Sequence, residues 1–162
     1  MPQLTETDLL HLARCVELAE EALADGDEPV GSLLLSSGGE VLFEDRNRVK
    51  DGDQTRHPEL AIALWAVREL SPEERAASTV DTSGEHCPMC AAAHAWVGLG
   101  RIVYASSSAQ LSAWCEGWGL PPAPVVALPI GTVAPFTPTA GPAPQFEERL
   151  KALQAISRGV TP

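Results

Sequence analysis

Two short segments, His57-Pro58-Glu59 and Cys87-Pro88-Met89-Cys90, stand about thirty residues apart and dictate what this chain must fold into. One imidazole and two thiols are donors of the softness zinc prefers, so the fold has to bring both segments to one point. Three protein ligands leave a fourth tetrahedral position open, which separates a catalytic zinc site from a closed structural one. In each segment a proline directly follows the first ligand, and proline fits the first position of a helix at no hydrogen-bond cost. Both segments therefore open predicted helices. The free N–H groups and partial positive charge at such starts stabilise thiolates.

Glu59, two residues beyond the histidine, is placed to move protons at that centre, as general acid-base chemistry requires. Taken alone it is an ordinary first-turn carboxylate that complements the helix dipole; beside His57 and the cysteine pair the proton-shuttle role is preferred. The cysteine pair has rival readings too. Cys-x-x-Cys at a helix start also serves redox dithiols. A closed structural zinc site would need a fourth ligand from His86, His94, Cys15 or Cys115. His86 is adjacent to Cys87 and poorly placed for this, and Cys15 and Cys115 read as buried thiols.

Around these segments the pattern is that of one α/β domain. Thr5-Glu6-Thr7-Asp8 precedes apolar residues of period 3.6 from Leu9 to Leu23, a capped helix ended by Asp25-Gly26-Asp27. Val30–Leu35 and Glu40–Glu44 flank the turn Ser36-Ser37-Gly38-Gly39 and predict a hairpin. Helices are expected from Pro58 to Ser71-Pro72 and over Pro88–Val97, and strands over Ser78–Thr82, Arg101–Ala105 and Val125–Leu128. The order α-β-β-α-β-α-β-β predicts a three-layer α/β/α sandwich around a mixed five-stranded sheet. The catalytic domain is expected over 1–128. Residues 129–162 are expected to form a proline-rich arm and a short helix, Gln145–Ile156, packing on the domain or on a partner subunit.

Charge narrows the function classes. Eleven Lys and Arg against 22 Asp and Glu give a net charge of −11, with no basic cluster of the kind that tracks phosphates. A small neutral substrate fits this balance, and neither nucleic acid nor membrane is expected as a partner. Met1–Glu6 lacks the basic start of a secretion signal, and no apolar run approaches the ~18 residues of a membrane span. Four cysteines in such a chain read as thiols or ligands, which predicts a cytoplasmic protein.

With these residues assembled, the chain resembles the cytidine/deoxycytidylate deaminase superfamily. It is most similar to the branch holding guanine deaminases, yeast-type cytosine deaminase and bacterial tRNA adenosine deaminases. The likeness runs from about Leu9 to Ala105 and is carried by Glu28-Pro29-Val30-Gly31-Ser32, Asn47, His57-Pro58-Glu59 and Cys87-Pro88-Met89-Cys90-Ala91-Ala92-Ala93. The resemblance implies zinc on His57, Cys87 and Cys90, Glu59 as proton shuttle, and Asn47 as a substrate hydrogen-bonding residue. It also implies a homodimer and hydrolytic deamination of a free nucleobase or nucleoside. Guanine is the first expectation, and a cytosine compound or an aminated triazine the alternative. Two residues depart from the branch, Pro58 for a small residue and His86 for a proline. His86 is expected at the mouth of the site in contact with substrate. Trp96, Trp114 and Trp118 are candidates for a pocket wall, with Trp114 the preferred one, and Glu116 for a bond to an exocyclic amine or ring N–H.

Overall fold

The Thr5 hydroxyl accepts the Asp8 N–H at 3.1 Å and the Asp8 carboxylate accepts the Thr5 N–H at 2.8 Å, a reciprocal cap that starts α1 (Glu6–Ala24). The computed structural model describes residues 3–162; Met1 and Pro2, the first residues of the polar start read above, lie outside the described residues. After α1 come β1 (Gly31–Leu35) and β2 (Val41–Arg46), then α2 (Pro58–Glu69), α3 (Pro72–Ala76), β3 (Thr79–Gly84) and α4 (Pro88–Trp96). The chain continues through β4 (Arg101–Ser106), α5 (Ser108–Gly117), α6 (Ile130–Val133), β5 (Thr139–Ala140) and α7 (Glu147–Ser157).

The sheet order is β2-β1-β3-β4-β5, antiparallel on the β2-β1-β3 side and parallel from β3 to β5. Because strand side chains alternate, each strand feeds two cores. On one face Leu33 and Leu35 pack against Cys15 and Leu18 of α1. On that side too, Val103 and Ala105 meet Leu12, Val16, Trp114 and Leu150 of α1, α5 and α7. On the other face Leu34 and Val80 pack against Ile62, Ala63 and Ala66 of α2, and Ile102 and Tyr104 against Ala91 of α4 and Ile130 of α6. These are the three expected layers. Contact between α1 and β1 is tight at Gly31, where any Cβ would strike Leu18 and the Cys15 carbonyl.

The fifth strand is not where the sequence puts it. Val125–Leu128 forms no strand: prolines at 121, 122, 124 and 129 remove ladder donors, and Val126 is 73% exposed. The edge is instead completed by Thr139–Ala140, beside Ile102 and Val103. Gly141 follows at φ +139, where a Cβ would meet the Tyr104 carbonyl, so only glycine fits this approach. From there α7 turns back along α1 of its own domain, with Arg149 bonded to Glu20 at 2.6 and 2.7 Å. Helices α3 and α5 are also absent from the sequence reading. Each begins with a reciprocal cap, Ser71 with Glu74 and Ser107 with Gln110, and that four-residue signal was available to find them.

Candidate active site

His57 and Cys87 are the N-cap residues of α2 and α4, and each precedes a proline. Steric conflict with the proline ring forces the preceding residue into extended backbone, and both residues are there (φ −84°, ψ 145° and φ −66°, ψ 166°). Neither side chain caps its own helix, so the ring and the thiol are free to face each other. The Nδ1 atom of His57 lies 3.5 Å from Cys87 Sγ and 3.6 Å from Cys90 Sγ. A tetrahedral zinc with Zn–S of about 2.3 Å and Zn–N of about 2.0–2.1 Å separates its N and S ligands by about 3.6 Å. The three donors fit the ion in kind and in spacing.

The electrostatics point the same way. Contact with Cys90 and with the His57 ring holds the Cys87 thiol down at about 4, against the opposing effect of burial. Cys90 is pushed up, first by the adjacent Cys87 sulfur and then by burial. The two sulfurs are too close for both to ionise unless a cation sits between them. The contact with Cys87 raises His57 as well. No other group of three His, Cys, Asp or Glu side chains among the described residues converges in this way.

Glu59, on the first turn of α2, is only 5% exposed. Burial raises its pKa, opposed by the His57 ring and by the Thr82 hydroxyl, which donates to Oε1 at 3.0 Å. Thr82 is held in turn by the Ser32 hydroxyl at 2.9 Å. Thr82 and Ser32 thus hold the carboxylate from the sheet below. Ser32 ends the Glu28–Ser32 segment of the resemblance without a role assigned to it, and Thr82 did not stand out, because a strand hydroxyl carries no motif. Asn47 is 2% exposed and its Oδ1 has no partner. Its loop is fastened to the residue before His57 by the Arg48 N–H, which donates to the Arg56 carbonyl at 3.1 Å. A cleft of about 280 Å³ opens beside His57 between that loop and Leu60, Ala61 and Leu64 of α2.

Other expected contacts lie elsewhere. His86 is 1% exposed, its ring edge-on to His94 at 5.4 Å, so it is interior and not at a solvent-facing mouth. The reason is local: His94 of α4 packs its ring against that of His86. Trp114 packs with Leu12 and Val16 on the face of the sheet opposite α2 and α4, and Trp118 adjoins it there. Trp96 is 89% exposed, at the end of α4 away from its cysteines. Glu116 is exposed near the end of α5 and makes no ion pair among the described residues. Glu85, by contrast, went unnoticed and is structural. Its two oxygens accept the Ser108 and Ile130 N–H groups, both at 2.8 Å, and so cap α5 and α6 together.

Residues 5–106 match the family model of the cytidine and deoxycytidylate deaminase zinc-binding region. The chain belongs to that family. It is 32% identical over 110 residues to a probable cytosine deaminase of Schizosaccharomyces pombe, covering 67% of this chain and 66% of that protein. It is 37% identical over 109 residues to a tRNA(Ile)-lysidine synthase of Deinococcus deserti, covering 65% of this chain and 20% of that protein. Thus it spans about two thirds of one relative and a fifth of the other. Among solved structures it superposes on the guanine deaminase from Nitrosomonas europaea with a TM-score of 0.69 at 19% identity, covering 98% of this chain and 87% of that one. In this deaminase family member the zinc ligands would be His57, Cys87 and Cys90.

Proposed function

We propose that the protein is a hydrolytic deaminase of a free nucleobase or nucleoside, releasing ammonia, with a guanine-type ring as first substrate. The observation that carries this reading is the buried Glu59 carboxylate beside a zinc set with only three protein ligands. When bound, zinc supplies Lewis acidity, which makes water acidic enough to be used near neutral pH. Thr82 fixes Oε1 of Glu59 and leaves Oε2 to carry the proton. Glu59 takes a proton from the attacking water and delivers it to a ring nitrogen. It then takes the second proton from the hydroxyl now on the ring carbon and gives it to the amine, which leaves as ammonia as the carbonyl forms. Its raised pKa suits this task, because a shuttle must both accept and release a proton near the working pH. Asn47 Oδ1, buried and open, is an acceptor for a ring N–H of the substrate.

The guanine reading is supported by the Cys-Pro-Met-Cys context and by the superposition on a guanine deaminase, which extends through the C-terminal segment. A cytosine compound is the second reading, favoured by the 32% identity to the probable cytosine deaminase. The net charge of −11 favours a small ring over tRNA. The four cysteines are free thiols, which fits a reducing cytoplasm, and no helix among the described residues is long and apolar enough to cross a membrane. Exposed Leu64, Val67 and Trp96 on α2 and α4 offer an apolar surface for a homodimer.

The test is ammonia release from guanine, cytosine, adenine and their nucleosides, set beside inosine formation in a tRNA anticodon stem-loop. Guanine turnover that changes little with salt is expected. Turnover confined to cytosine compounds moves the second reading to first place. Stem-loop editing at a comparable rate would overturn the small-ring assignment.

A further inference from the structure

Asp27 lies in the turn between α1 and β1 and is 3% exposed, an unusual place for a carboxylate. Its Oδ1 accepts the backbone N–H of Lys50 at 2.8 Å, and its Oδ2 accepts Arg46 Nη1 at 3.1 Å. These two bonds grip the chain on either side of Asn47. The same Nη1 reaches the Asn47 carbonyl at 3.4 Å, and the Asn47 N–H donates to the Val30 carbonyl at 3.0 Å. The Asn47 backbone is therefore held from Arg46, from Val30 and, through Lys50, from Asp27. Asp25 joins the cluster at the surface, bonding Arg46 Nη2 at 2.9 Å and Lys50 Nζ at 2.7 Å, but it reaches no backbone N–H of the loop. In the middle of this well-bonded segment the Asn47 Oδ1 alone is buried without a partner. A loop this firmly fixed around one open acceptor is organised to present that acceptor, since an unpaired buried carbonyl is otherwise selected against.

We propose that Asp27 is a positioning residue, which acts through the Arg46 guanidinium and the Lys50 N–H to hold Asn47 Oδ1 for a ring N–H of the substrate. The proposal rests on the deaminase reading for its substrate, but the grip on the loop is a property of the chain itself. Asp27→Asn keeps the shape of the side chain and one acceptor oxygen while removing the charge-assisted bond to Arg46. A displacement of a contact group by about 1 Å costs on the order of 100-fold in rate, so Asp27→Asn is expected to lower kcat/KM by about 10–100-fold at unchanged zinc content. Asn47→Ala should lose a similar factor, and the double variant should be no worse than Asn47→Ala alone, because Asp27 then has nothing left to position.

Two readouts separate this proposal from the one it rests on. The first is the double-variant cycle on ammonia release. The second is amide hydrogen exchange, measured by NMR on the zinc-loaded protein without substrate. In Asp27→Asn the Asn47 and Lys50 amides should exchange about tenfold faster or more, while those of β1 and β3 stay as they are. Should Asp27→Asn fail to fold, Arg46→Gln tests the same grip from the other side with the same expectations. Unchanged exchange at Asn47 and Lys50, or losses from Asp27→Asn and Asn47→Ala that simply multiply, would overturn the proposal. No ammonia from the unmodified protein on any ring would overturn the deaminase reading, and the exchange result would then decide the positioning by itself.

Discussion

Replacing Asp81 by asparagine should stabilise the protein at pH 8 and leave it almost unchanged near pH 4. Asp81 lies on β3 with no exposed side-chain surface, facing α1, and neither oxygen has a hydrogen bond. His11 Nδ1 is 3.4 Å away, but not aligned to donate. Arg101, the cation that acts on Asp81, is occupied by Asp8 through two bonds of 2.8 and 3.0 Å. Cys15, one turn beyond His11 on α1, is fully buried and adds no charge to offset the carboxylate. Burial and then the Asp8 charge push Asp81 up to about 7, with Arg101 pulling weakly the other way.

A carboxyl raised above its unfolded value of 3.8 favours the folded state in its protonated form. Its contribution is complete below that value and is lost as pH climbs to about 7. Between pH 5 and pH 8 the loss amounts to about 2.5 kcal/mol. For a chain of this size that is a fall of about 5–10 °C in Tm. Urea unfolding at both pH values, of the unmodified protein and of Asp81→Asn, measures it. The difference between the two proteins should grow by about 2.5 kcal/mol from pH 5 to pH 8 in favour of the variant. A difference that stays constant across this range would refute the assignment of Asp81 as an unpaired buried acid.

Two further outcomes follow from the site and the edge strand. Cys87→Ala should lose its zinc by elemental analysis together with all ammonia release; full retention of metal would remove Cys87 from the ligand set. Gly141→Ala should destabilise the fold by about 1–3 kcal/mol in urea unfolding, because the alanine Cβ meets the Tyr104 carbonyl at a positive φ; unchanged stability would mean that β5 does not depend on this close approach.

What the sequence made readable was local. His57, Cys87 and Cys90 could be found because ligand type, short spacing and the following prolines are all written within a few residues of each other. The cap of α1 is equally compact. What escaped depends on which side of the sheet an element packs. Trp114 looked like a pocket wall, but α5 crosses to the α1 face and the indole fills the core there. Nothing in the sequence marked Asp81, which becomes a buried acid only because α1 covers that face of β3. The two-residue strand β5 has no sequence signature of its own, since parallel pairing with Ile102 and Val103 is set by residues far along the chain. Asp27 and the Arg46–Lys50 segment that carries Asn47 are separated by a hairpin and meet only once that hairpin is folded.

Glu59 carries the central claim, and one comparison tests it most directly: ammonia release from guanine by the zinc-loaded protein and by zinc-loaded Glu59→Gln. Glutamine preserves the size of the side chain and the oxygen that accepts from Thr82, but cannot carry the proton. General acid-base catalysis supplies about 10²–10⁴-fold, so the variant should bind its full complement of zinc and turn over at least 100-fold more slowly. Turnover by Glu59→Gln at the rate of the unmodified protein would contradict the account.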